Sequence, residues 1–113
     1  MEDNLYVASL FDAYGELLNE RQREIMRMRT VYDYSLSEIG EELNISRQAV
    51  HDAEKKSVET LKNFEEVLSI VEKQRKFEKN ISDIKEKILS IGMEENDKKS
   101  LLDKIDELEE EIG

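Results

Sequence analysis

Residues 36–56 read LSEIGEELNISRQAVHDAEKK. A helix-turn-helix needs a small residue where its two helices cross, an apolar residue before it, a left-handed residue in the turn, and apolar positions on the second helix facing the first. This stretch meets all four demands. Gly40 follows Ile39 at the crossing, Asn44 tolerates the positive φ of the turn through its short polar side chain, and Ile45, Val50 and Ala53 close the core. With those residues turned inward, Arg47, Gln48, His51, Asp52 and Lys55 face outward on the second helix, where base edges are met, and Lys56 adds a cation for phosphate. Ser46 supplies a hydroxyl and a helix N-terminus, a place that favours phosphate.

Upstream, apolar residues come thickly from Leu5 to Leu18, and Gly15 is placed to end a first helix in a left-handed cap. Asn19, with Gln22 three residues on, has the capping-box pattern and opens a second helix near Glu20. Its buried stripe includes Ile25 and Met28, with Tyr32 a further candidate, while Arg21, Arg23, Arg27 and Arg29 spread around its other faces. This helix is expected to stop near Asp33. Ser35 and Glu38 form a second capping-box pattern, opening a short helix with Leu36, Ile39 and Leu43 on one face. Ser46 caps the helix that follows.

Downstream, neither Pro nor Gly interrupts residues 46–91. One helix of that span would be roughly 70 Å long, against a radius of gyration of about 13 Å for a compact domain of this size. Either it breaks without a sequence signal, or it projects and finds a partner. Within it Val67, Ile70, Gln74, Phe77, Ile81, Ile84, Ile88 and Ile91 recur at alternating steps of three and four, and after Gly92, a second candidate left-handed cap, Leu101, Ile105, Leu108 and Ile112 repeat the steps. An antiparallel helical hairpin results. Periodicity does not separate an intrachain core from a homo-oligomer seam; the expected seam residues are Phe77, Ile81, Ile84, Ile88, Ile91, Leu101, Ile105 and Leu108, with a dimer the favoured assembly.

The whole chain agrees with a helical reading. Among 113 residues 40% are charged and 38% hydrophobic, Gly occurs four times and Pro is absent. We therefore expect an all-α fold: a helix-turn-helix domain over residues 1–66, then a long helix and C-terminal helical hairpin over 67–113. The formal charge of −11 repels a polyphosphate at long range, so nucleic-acid binding has to come from a local patch. With no cysteine, disulfides and thiolate metal sites are excluded. The acidic start Met1-Glu2-Asp3-Asn4 lacks the features of a secretory signal, and no apolar run reaches the roughly 18 to 20 residues that span a bilayer. A cytoplasmic location is expected.

The stretches LFDAYGELLNERQREIM (10–26) and YSLSEIGEELNISRQAVHDAEKK (34–56) resemble the YlxM-like family of small bacterial proteins, whose fold is similar to the region 4 domain of bacterial sigma-70 factors. The likeness covers about residues 9–62, and ERQREIM and ISRQAVHD are its most specific parts. It implies a DNA-binding regulatory protein that takes part in the signal recognition particle pathway, because the family is usually encoded beside components of that particle. Three positions depart from the family pattern. The family tends to carry Gly where Asn44 stands and an aliphatic residue where Glu54 stands, and the segment MRMRTVYDYS (26–35) is more basic and less apolar than its usual counterpart.

Two ligand classes stay open. Residues 1–60 hold thirteen acids against seven Lys and Arg, a net of −6. A monomer then offers few phosphate contacts: Arg47, Lys55, Lys56 and some of the four arginines of the second helix. A dimer doubles them and sets two recognition helices on half-sites about one helical turn apart; alternatively Arg47 bonds guanine and Gln48 adenine, each in bidentate fashion. The competing reading makes the helix-turn-helix a docking surface for a protein or ribonucleoprotein, the acidic shell meeting a basic partner such as a signal recognition particle component. Catalysis is not expected. His51 is the sole histidine, and no phosphate loop, nucleophile elbow or metal-ligand spacing occurs, nor is a cofactor implied.

Overall fold

The computed structural model describes residues 4–112 and the side chains of residues 4–111. Six α-helices and one 3-10 turn account for its regular structure, with no strand among the described residues: α1 (Asn4–Tyr14), the turn Gly15–Leu17, α2 (Glu20–Thr30), α3 (Leu36–Leu43), α4 (Arg47–Leu68), α5 (Ile70–Ser90) and α6 (Glu95–Ile112). They form two compact units, Met1–Val71 and Glu72–Gly113.

The helix starts of the first unit lie where their capping residues dictate. Asn19 Oδ1 accepts from the Gln22 amide and Ser35 Oγ from the Glu38 amide, and both boxes are closed by the return bond from the third-residue side chain. Ser46 Oγ accepts from the Ala49 amide and starts α4. Asn44 ends α3 in the left-handed conformation, φ 57°.

Two apolar clusters hold this unit. Ile25, Ile39 and Val50 lock α2, α3 and α4 together, with Met28, Leu36, Leu43, Ile45 and Ala53 packed around them. Leu10, Tyr14, Leu18, Met26 and Leu61 tie α1 and α2 to the rest of α4. Met26 is completely buried, whereas Tyr32 is 60% exposed and lies beyond the end of α2. The apolar stripe of α2 therefore runs through Met26 as well as through Ile25 and Met28, since the helix is covered on two sides.

Two expected caps are corrected. No glycine has positive φ among the described residues. Gly15 opens the 3-10 turn, and its lack of a side chain matters because a Cβ there would lie 2.9 Å from the Phe11 ring. Gly92 has open space around it, and the link after α5 needs no left-handed residue. The positive-φ positions are Asp33, Asn44 and Ser69.

Ser69 answers the question of the uninterrupted span. The helix breaks there, at φ 53°, with neither Gly nor Pro to mark it. Three hydrogen bonds hold the break. Tyr14 Oη–H donates to Glu65 Oε1, the Ile70 amide donates to Tyr14 Oη at 3.0 Å, and the Val71 amide donates to Glu65 Oε1 at 3.0 Å. Two N–H groups that a helix start leaves open are thus satisfied by side chains. Burial, and then the bond to Glu65, push the Tyr14 phenol above its ordinary pKa.

The second unit is an antiparallel hairpin. Ile81, Ile88 and Ile105 form its centre, with Phe77, Met93 and Leu102 packed against them. Lys85 Nζ lies 2.6 Å from Glu109 Oε1 and 3.4 Å from Asp106 Oδ1, which fixes the register of α5 against α6. Those two carboxylates, Glu109 first, hold the Lys85 ammonium above its usual pKa.

The expected seam divides. Ile81, Ile88 and Ile105 are buried within the chain and Phe77 is half-buried, while Ile84, Ile91, Leu101 and Leu108 are exposed. Val67 is 81% exposed near the end of α4. The side chain of Ile112 lies outside the described residues.

Candidate nucleic-acid interface

Gly40 sets the geometry of the motif. A Cβ at this position would sit 2.8 Å from the Ile45 carbonyl oxygen and 3.5 Å from the Arg47 nitrogen. The close approach is to the backbone of the turn itself, and the Ile45 amide closes it by donating to the Gly40 carbonyl at 2.9 Å. The chain can then leave α3 at Asn44 and re-enter a helix at Arg47 in three residues. Val50, wholly buried against Ile25 and Ile39, fixes the rotation of α4 about its axis.

With that rotation Ser46, Arg47, Gln48, His51, Asp52, Lys55 and Lys56 are all exposed on α4. They spread over the outward half of the helix, with Arg47 and Lys56 on its opposite edges. Asp52 is its organising group: Gln48 Nε2 donates to Asp52 Oδ1 at 3.0 Å, and His51 Nδ1 lies 3.6 Å from the same oxygen. A bidentate grip on adenine needs both the amide nitrogen and the amide oxygen of Gln48, and here one of the two N–H donors of that nitrogen is engaged by Asp52. Among the described residues, by contrast, Arg47, Lys55 and Lys56 have no acidic partner.

The arginines of α2 split two and two. Arg23 Nη2 donates to the Leu18 carbonyl at 3.1 Å and Arg29 Nη1 to the Tyr34 carbonyl at 3.1 Å, so both brace the unit. Arg21 and Arg27 are exposed. Arg29 Nε also meets Glu54 Oε1 at 3.2 Å, which joins α2 to α4. Glu54 thus has a counter-ion on the basic segment before the motif, while Ala53 packs against the Ile25, Ile39 and Val50 cluster. In the sequence, an acid on the second helix of the motif and an arginine 25 residues earlier are the signal of this ion pair. Beside His51 and Lys55 the brace lines a groove of about 680 Å³ that also includes Val7, Leu36 and Val58.

A sequence profile described as "Putative helix-turn-helix protein, YlxM / p13 like", the UPF0122 family, matches residues 1–109. The chain belongs to the UPF0122 family. Curated UPF0122 proteins resemble it over most of their length. One from Clostridium acetobutylicum is 38% identical over 113 residues, covering 100% of this chain and 97% of the relative. One from Thermoanaerobacter sp. strain X514 is 40% identical over 111 residues, 98% of this chain and 94% of the relative. A third, from Caldanaerobacter subterraneus subsp. tengcongensis, is 48% identical over 87 residues, 76% of this chain and 74% of the relative. The profile runs well past the helix-turn-helix and takes in most of α6, so the UPF0122 pattern includes the hairpin as well as the motif.

Proposed function

We propose that this chain is a cytoplasmic DNA-binding regulatory protein that presents α4 to the major groove as part of a homo-oligomer, and that it serves the signal recognition particle pathway, as the family resemblance implies. One observation carries the DNA reading: the turn seated on Gly40 leaves Arg47, Lys55 and Lys56 exposed over the outward half of α4 without acidic partners. Arg47 begins α4, where a side chain of a groove-bound helix reaches base edges, and Ser46 lies at the N-terminus that favours phosphate. No described helix is long and apolar enough to cross a membrane.

A specific observation favours a second reading. Asp52 stands in the middle of the surface and engages Gln48, and residues 1–60 are net acidic. Such a surface suits a basic protein or ribonucleoprotein partner as well as it suits a duplex.

Mobility-shift titration separates the two, with random duplex DNA, signal recognition particle RNA and signal recognition particle protein each titrated at two salt concentrations. DNA binding predicts a salt-dependent shift of the duplex, with the log–log slope reduced by about one in Arg47→Ala. Tight binding of the particle's protein with duplex DNA ignored at low salt overturns the DNA reading.

A further inference from the structure

Besides Leu89, on another side of α5, four large aliphatic side chains of the hairpin stay uncovered: Ile84 is 46% exposed, Ile91 51%, Leu101 44% and Leu108 40%. They are not scattered. The ion pairs of Lys85 with Asp106 and Glu109 set a register that brings Ile84 level with Leu108 and Ile91 level with Leu101. Ile84 and Ile91, the latter just past the end of α5 with its amide bonded to the Lys87 carbonyl, are seven apart, as are Leu101 and Leu108 on α6; seven residues on an α-helix are close to two full turns, ~10.5 Å. The four therefore form one rectangular patch, on the side of the hairpin away from the Lys85 ion pairs.

We infer that a second copy of this chain covers this patch, so that two hairpins join as a four-helix bundle. The inference rests on the homo-oligomeric reading above and names the surface that reading needs.

Size supports it first. A unit of about 40 residues is at the limit below which chains need cross-links or association to stay folded, and this one has no cysteine. Area supports it next. The 18 residues of α6 span ~27 Å, and two helices side by side are ~20 Å wide, a planar footprint of ~540 Å². Corrugated by side chains, such a face approaches the roughly 800 Å² per partner of a stable interface.

Charge is compatible with self-association. Lys87 and Lys104 stand three residues beyond Ile84 and Leu101, one turn along the same faces of their helices. On a chain of net charge −11 a like copy meets cations beside the patch as well as the general acidic repulsion, which salt screens. Aliphatic residues at heptad spacing, matched across two helices, are also what the same spacing on a second copy interlocks with.

Sedimentation velocity of the full chain at micromolar concentration tests this, with helicity followed by circular dichroism. The wild type is expected at twice its 13.3 kDa. Ile84→Asp with Leu108→Asp is expected to halve the mass and keep the helicity, since both positions face outward. Should that pair unfold the hairpin, the gentler pair Ile91→Ser with Leu101→Ser gives the same reading. Leu89→Asp, on another side of α5 and 63% exposed, should remain dimeric. A monomeric wild type, a patch variant that keeps the dimer mass, or a Leu89 variant that dissociates as readily overturns the proposal. Mobility shifts on the same samples keep the two readings apart: a dimer that ignores DNA sinks only the DNA reading, whereas a folded monomeric variant that binds DNA at least tenfold more weakly supports both.

Discussion

In the helix-turn-helix unit Leu10, Met26, Ile39, Val50 and Leu61 are 0% exposed, whereas the three central residues of the hairpin, Ile81, Ile88 and Ile105, remain 6–8% exposed. The first unit encloses its core with helices on several sides. The second has two helices, and each covers only one side of the other. The same grammar of apolar residues at steps of three and four produces a finished interior in one place and a half-covered stripe in the other. Periodicity specifies which side of a helix is apolar; the number of neighbours decides whether that side is buried.

Single truncations measure the contrast. Ile39→Ala should cost about 3–4 kcal/mol in urea denaturation, because its site is closed on all sides, and Ile88→Ala only about 2 kcal/mol. Equal losses would mean that the difference in depth has no energetic content.

The glycines offer a second contrast. Gly40→Ala places a methyl group against the Ile45 carbonyl oxygen, a backbone atom; overpacking of about 1–3 kcal/mol, partly offset by better helix propensity, leaves a net loss of about 1–2 kcal/mol. Gly92→Ala meets nothing within 4 Å and should stay within about 0.5 kcal/mol of the parent. Thermal unfolding of the two variants, side by side, reads the difference directly.

Tyr14→Phe removes the phenol that links Glu65 to the Ile70 amide, with an expected cost of about 1–1.5 kcal/mol and faster hydrogen exchange at Ile70. Exchange unchanged at Ile70 would show that the break at Ser69 is held without the phenol, by Glu65 and packing. A smaller effect is expected at Arg29 and Glu54. Both side chains keep solvent contact, so a double-mutant cycle with alanine should give a coupling below about 1 kcal/mol; a larger coupling would mark the pair as a main anchor of α2 on α4.

The smallest effect concerns acid. The backbone and hydroxyl of Ser35 hold the Glu38 carboxyl below its ordinary pKa. A depressed folded-state pKa means that the contribution is complete above the unfolded value and disappears as pH falls through the folded one. NMR titration should place Glu38 below the free glutamate range, and Glu38→Gln should abolish that share of the acid dependence while retaining a capping box.

What was legible in the sequence follows the range of the forces involved. Asn19 with Gln22, Ser35 with Glu38, and Asn44 are local devices, complete within four residues, and the chain spells them out. Gly40 was legible because its crossing role has a fixed offset from Ile39 and Asn44. Ser69 was not, for the groups that hold it, Tyr14 and Glu65, include one more than fifty residues away. Glu54 looked misplaced until Arg29 was found beside it. In the hairpin, steps of three and four identified the apolar residues but gave no phase. Only the Lys85 ion pairs tell Ile88, which turns inward, from Ile84, which does not.

The clasp at Ser69 has one consequence for how far α4 extends. From Arg47 to Ser90 the chain carries no stop signal of its own, so a fragment cut free of α1 has lost the phenol that stays the kink and should wind on as one helix of roughly 66 Å. Where α4 stops is therefore decided in part by a phenol more than fifty residues earlier in the chain.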